Sequence, residues 1–169
     1  MVLQEIAESS GLTISDLVRG MIAPLTVKAI ATQKAKKIEA LRATIVDRAM
    51  WLYNEVVVPL VERDIIDGVT LFSVSYVEYK ESSQWNVDYH ESREYYVERE
   101  DSKAVLKCLE ERWVEAGSAV NTLSKRVYEV KDVRKVFEEA VRVLGINVLY
   151  YMTENLLNKL ALELGRLRG

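Results

Sequence analysis

The chain has 169 residues, 49% hydrophobic and 29% charged, which suits one compact domain with a real core and excludes global disorder. A formal net charge of −3 excludes the overall basic signature of a nucleic-acid binder. A single cysteine, Cys108, excludes an intrachain disulfide and a cysteine-rich zinc site, and a single histidine, His90, removes most other metal and acid–base constellations, so no cofactor is expected.

The charge is uneven along the chain. Residues 1–63 carry eight Lys/Arg against seven Asp/Glu, residues 64–101 carry three against ten, and residues 102–169 carry twelve against nine. Met1 runs straight into Gln4, Glu5 and Glu8, unlike a secretory leader, and the most apolar stretch, residues 146–164, is broken by Asn147, Glu154, Asn155, Asn158, Lys159 and Glu163. A cytoplasmic protein without a membrane partner is therefore expected. Few prolines and amides with abundant Glu, Lys and Arg are compatible with a thermophilic source.

Residues 1–23 read as a two-helix preface. Leu3, Ile6 and Ala7 share one helix face, Gly11 stops that helix, and Ser15-Asp16 caps a second one bearing Leu17, Val18, Met21 and Ile22. Residues 3–22, with Ala7 four before Gly11-Leu12 and then Ser15 ahead of Leu17-Val18-Arg19, resemble the two-helix part of ribbon-helix-helix DNA-binding proteins. The strand that reads bases in that family has no counterpart before Leu3. The resemblance implies a DNA-associated regulator.

Residues 24–66 read as one long helix opened by Pro24, with Val27, Ala31, Ala35, Ile38, Leu41, Ile45, Ala49, Leu52, Val56 and Leu60 in steps of three or four. That stripe is consistent with a coiled-coil-like seam, to the C-terminal helices or to a second copy. Val56-Val57-Val58 before Pro59 predicts a kink or an end near residues 54–59. Lys28, Lys34, Lys36, Lys37, Arg42 and Arg48 form the densest basic stretch, and Arg19, Lys28, Lys34, Lys36, Lys37 and Arg42 are the candidate contacts to the phosphates of double-stranded DNA. The competing reading is a solvated helix face.

Residues 69–100 read as a three-stranded antiparallel meander. Phe72, Val74 and Tyr76 alternate with Leu71, Val77 and Tyr79, and turns are expected at residues 81–84 and 91–93. The acidic, aromatic surface with Tyr76, Tyr79, Trp85, Tyr89, Tyr95 and Tyr96 is a candidate protein interface. From 102 to 169 helices are expected. Asp101-Ser102 would cap one with the stripe Val105, Leu109, Trp113, Ala116, Val120, Leu123 and Val127; Asp132 would cap the next; and Gly145 with Asn147 would interrupt it before a last helix. The predicted fold is α+β and predominantly helical: a long amphipathic helix plus C-terminal helices packed with a small three-stranded antiparallel sheet, in one domain over 1–169.

The chemistry-bearing residues are sparse. Asp67 followed by Glu78-Tyr79-Lys80 resembles the metal-binding core of PD-(D/E)xK nucleases, in which acids hold Mg²⁺ and the lysine orients the attacking water. That core needs a hairpin between the Asp and the Glu, whereas residues 69–77 contain no turn signal, so one strand would hold the two about 35 Å apart. His90, flanked by Asp88 and Glu91, has no nucleophile context, and Cys108 reads as a small core residue. Three functions are thus expected, in this order: a non-enzymatic, oligomeric DNA-associated regulator; a non-catalytic interaction or assembly protein; and a Mg²⁺-dependent nuclease.

Overall fold

The structure, a computed structural model, describes residues 24–81 and 86–168. The two-helix preface with Arg19, the turn residues 82–84 and Trp85 lie outside the described residues. The chain divides into two compact units, Met1–Thr44 and Ile45–Gly169.

Helix α1 spans Pro24–Leu52 and contributes to both units. In the first unit, side chains 28–44 are almost all exposed, including Ile38 and Leu41 of the expected seam. In the second unit the helix turns buried: Val46, Ala49, Tyr53, Val57 and Val61 enter the core. Of the expected stripe Ala49 lies on this buried line, whereas Ile45, Leu52, Val56 and Leu60 are offset from it by about one residue and sit at its half-buried margin. Steps of four residues drift by about 40° per turn around an α-helix. Here that drift is absorbed by a π turn, Tyr53–Val57, in which the Val58 N–H donates to the Tyr53 carbonyl five residues back. Pro59, which has no N–H to give, follows at once in the short helix α2, Val58–Glu62. The interruption expected near residues 54–59 is therefore a widening of the helix that continues past the proline.

Four strands follow: β1 Gly68–Glu81, β2 Asn86–Glu100, β3 Lys103–Ala116 and β4 Ala119–Glu129. They form one antiparallel meander in the order β1-β2-β3-β4. Gly68 opens it where a Cβ would stand 2.7 Å from the Val97 carbonyl oxygen, so only glycine fits the approach of β1 to β2.

The predicted fold is corrected in two places. The meander has four strands, because residues 102–130 form β3 and β4 and no helix. Asp101-Ser102, read as a helix cap, is the two-residue turn between Glu100 and Lys103; both residues have positive φ (49° and 68°), as a type I′ hairpin requires. Gly117-Ser118 joins Ala116 to Ala119, with Gly117 at φ 61° in the first central position, the type II′ arrangement. The turn expected at 91–93 is also absent: β2 runs through it without a break.

Two helices close the chain. Asp132 caps α3, Val133–Leu144, its carboxylate accepting from the Lys135 N–H at 3.2 Å, and Gly145 ends it at φ 62°. Helix α4 spans Asn147–Arg168. Phe137, Ala140 and Val141 from α3, with Val148, Met152 and Leu156 from α4, bury against Phe72, Val74, Tyr95, Val97, Leu106 and Cys108. Asn155 donates to the Leu71 carbonyl at 3.1 Å and ties α4 to β1 at the bulge between Thr70 and Phe72. Among the described residues no helix is long and apolar enough to cross a membrane.

Candidate functional site

Residues directly opposite one another across antiparallel strands share a face. On the face that meets the helices, one row runs Phe72, Tyr95, Cys108, Tyr128; the next runs Val74, Arg93, Glu110, Arg126; and the third runs Tyr76, Glu91, Arg112, Ser124. The first row is core, apart from half-buried Tyr128. Cys108 is fully buried, and that burial pushes its thiol above the ordinary range, so it stays protonated and inert at neutral pH. Tyr76 is pushed up to about 12, first by burial and then by its hydrogen bond to the Glu139 carboxylate at 2.9 Å.

The second and third rows hold a charge network. Glu110 is the one buried charged residue among the described residues, 2% exposed. Arg126 donates to both of its oxygens at 3.1 and 3.4 Å, Arg112 Nη2 stands 3.4 Å from Oε1, and Arg93 Nε stands 3.5 Å from Oε2. Glu91 draws Arg112 at 2.9 Å and Arg93 at 3.3 Å. Two carboxylates thus hold three guanidiniums, leaving an excess of one positive charge. Beside the network, α3 and the sheet enclose a cavity of about 740 Å³ lined by Arg93, Tyr95, Tyr128, Lys135, Glu139 and Arg142 among others. Its full lining carries four cationic and four anionic side chains, so it has no net preference for an anion.

Past these rows the sheet is no longer buried by helices. All of β4 except half-buried Tyr128 is exposed, with Val120 at 62%, Leu123 at 59% and Val127 at 56%. β4 is also an edge: among the described residues no strand pairs with its outer side. On the face away from the helices the rows run Ser73, Glu94, Leu109, Val127; then Ser75, Ser92, Glu111, Lys125; then Val77, His90, Trp113, Thr122; then Tyr79, Asp88, Glu115, Val120. His90 stacks on Trp113, with ring centroids 5.0 Å apart and planes 4° from parallel.

The residues singled out in sequence fall in separate places. Lys28, Lys34, Lys36 and Lys37 are exposed on α1, and Arg42 there pairs with Glu39 at 2.7 Å. Arg19 lies outside the described residues. The Asp67/Glu78/Lys80 set is not brought together. Asp67 precedes β1 and pairs with Lys159 at 2.7 Å, a contact that lowers its pKa; Glu78 and Lys80 sit at the far end of the same unbroken strand, 3.9 Å from each other. The Glu110 network and Glu115 are not legible from sequence, because a helical reading of residues 102–130 hides every cross-strand partner.

A scan against protein-family models, a search of curated proteins and a search of solved structures each give no match.

Proposed function

We propose that this chain is a non-catalytic assembly protein whose copies join edge to edge through β4. The observation that carries this reading is an eleven-residue edge strand, exposed except at half-buried Tyr128 and bearing Val120, Leu123 and Val127. Such a row of unpaired backbone groups is a template for another strand, and proteins that stay monomeric blunt it. The Val130 N–H points inward, to the Leu106 carbonyl at 2.8 Å. Alternation then turns the N–H and C=O groups of Glu129, Val127 and Lys125 outward. A two-fold axis at Val127 sets Val127 against Val127 of the second copy, and each Lys125 against the other copy's Glu129 on the same face. The same strand therefore offers hydrogen bonds, an apolar centre and two compensating charge pairs, as an isologous interface needs.

Light scattering behind a sizing column tests this. The wild-type chain is expected to run as a dimer, and Val127→Lys as a monomer, because two ammonium groups would then meet at the axis. Val127 is exposed, so the substitution is expected to change the chain's own stability by less than about 0.5 kcal/mol. A wild-type chain that is monomeric at every concentration rules the reading out.

A second reading, association with duplex DNA, is favoured by one observation. Residues 28–44 of α1 hold Lys28, Lys34, Lys36, Lys37 and Arg42 against the single acid Glu39, nearly all exposed. It predicts retention of duplex DNA at low salt, weakened by Lys36→Gln/Lys37→Gln with a log–log salt slope shallower by about 2. No retention at low salt removes it.

A further inference from the structure

We propose that Asp88, His90 and Glu115 form a binding site for a divalent first-row transition metal on the face of the sheet turned away from the helices. One ligand atom from each of the three lies within 4.8 Å of the others. The sheet register produces the cluster. Asp88 and His90 are two apart on β2 and so share a face, and Glu115 of β3 stands directly opposite Asp88. Two like charges set opposite each other across a strand pair repel. A cation between them removes that repulsion, and the imidazole supplies a nitrogen donor.

Two further observations separate this cluster from ordinary surface charge. First, His90 Nε2 is fully shielded from solvent and has no hydrogen-bond partner, although the Glu115 carboxylate is 3.3 Å away. A buried ring nitrogen facing a carboxylate outside hydrogen-bond geometry is what a metal ligand presents before coordination. Second, both ligands are held by one side chain. The Trp113 ring stacks on His90, and its Nε1 donates to Glu115 Oε1 at 3.3 Å. That leaves Glu115 Oε2, the oxygen nearest His90, for the metal. Support of this kind, which orients a ligand from behind, is the usual outer layer of a metal site.

The donor set selects the class of ion. One imidazole and two carboxylates suit Zn²⁺, Mn²⁺, Fe²⁺, Co²⁺ or Ni²⁺, whereas Mg²⁺ and Ca²⁺ favour all-oxygen sets. Ligands on a tetrahedral Zn²⁺ stand about 3.3 Å apart. Asp88 and Glu115 are only partly buried, so rotation of their carboxylates closes the set around an ion. Three protein ligands leave a position for water or for a donor from another molecule. The cluster lies on the open face, apart from the hydrogen-bonding edge of β4, so the site stands independently of the assembly reading.

Trp113 makes the test direct. In the untagged full chain carrying Trp51→Phe and Trp85→Phe, Trp113 is the remaining indole. Titration with Ni²⁺ is expected to quench its emission saturably at one equivalent, and Zn²⁺ to compete the quenching away. Glu115→Gln is expected to weaken the apparent affinity by more than about tenfold. Asp88→Asn, isosteric and in the same cluster, is expected to do the same and serves if Glu115→Gln fails to fold by circular dichroism. Glu111→Gln, on the same face outside the cluster, is expected to leave the affinity unchanged. Quenching that does not saturate, or an affinity that a folded Glu115→Gln or Asp88→Asn variant retains, overturns the proposal.

Discussion

Phe137→Ala is expected to lower the unfolding free energy by about 3–5 kcal/mol, the range for truncating a fully buried aromatic ring. Phe137 has no exposed surface. Its ring meets Tyr53 of the π turn at 5.8 Å and Phe72 of β1 at 5.7 Å, and Phe72 in turn meets Tyr95 at 5.4 Å. These tilted contacts add to the area term. The ring is where the π turn, the sheet and α3 converge, so neighbouring side chains on three elements would have to move together to fill the hole. For a chain of this size, about 2–4 °C is lost per kcal/mol, so a fall of roughly 6–20 °C in Tm is expected by calorimetry. A loss under about 1 kcal/mol would mean that the site collapses freely and that the aromatic cluster is not the centre of the core.

The second large effect is at Glu110. Removing one partner of a buried ion pair costs about 3–5 kcal/mol, chiefly because the other charge stays behind without compensation. Here that charge is Arg93. Its side chain is 30% exposed, against 51% for Arg112 and 64% for Arg126, which can turn into water when the carboxylate is gone. Glu91 still faces Arg93 at 3.3 Å, so the loss for Glu110→Ala is expected at the lower end, about 3 kcal/mol, read as a shift of the urea midpoint at unchanged slope. Glu110→Gln keeps one acceptor and the side-chain volume and is expected to lose less. Equal stability of Glu110→Ala and wild type would show that the network is solvated in solution.

Several elements of this fold were legible in the residues themselves. Asp132 caps α3 and Gly145 ends it because a short acceptor and an unhindered positive φ act within one turn of the chain. Pro59 announced an irregular helix for an equally local reason. The segment from 101 to 130 was misread because Val105, Leu109 and Trp113 are four apart, and a spacing of four is also twice the strand period. Those three residues do share a face, that of a strand. The alternation of Leu106, Cys108 and Glu110, all buried, is the signal that separates the two readings, and Glu110 masks it by being charged. The candidate metal cluster had a similar fate. His90 and Asp88 were visible together, but Glu115 reaches them only through the register of β2 against β3, and no local pattern encodes a register.

The meander imposes an order of events on folding. Each strand pairs with its neighbour in the chain, and two of the three connections are two residues long, so the hairpins close with little loss of loop entropy. The layer that covers them comes from both sides of the sheet in the chain: Val46–Val61 precede it, and Phe137, Met152 and Leu156 follow it. On a ribosome the sheet can zip as soon as Glu129 has emerged, yet its apolar side is not fully covered until α3 and α4 have been made. During that interval part of the sheet's apolar side lacks its cover, and α4, made after the strands it packs on, is the element that seals it.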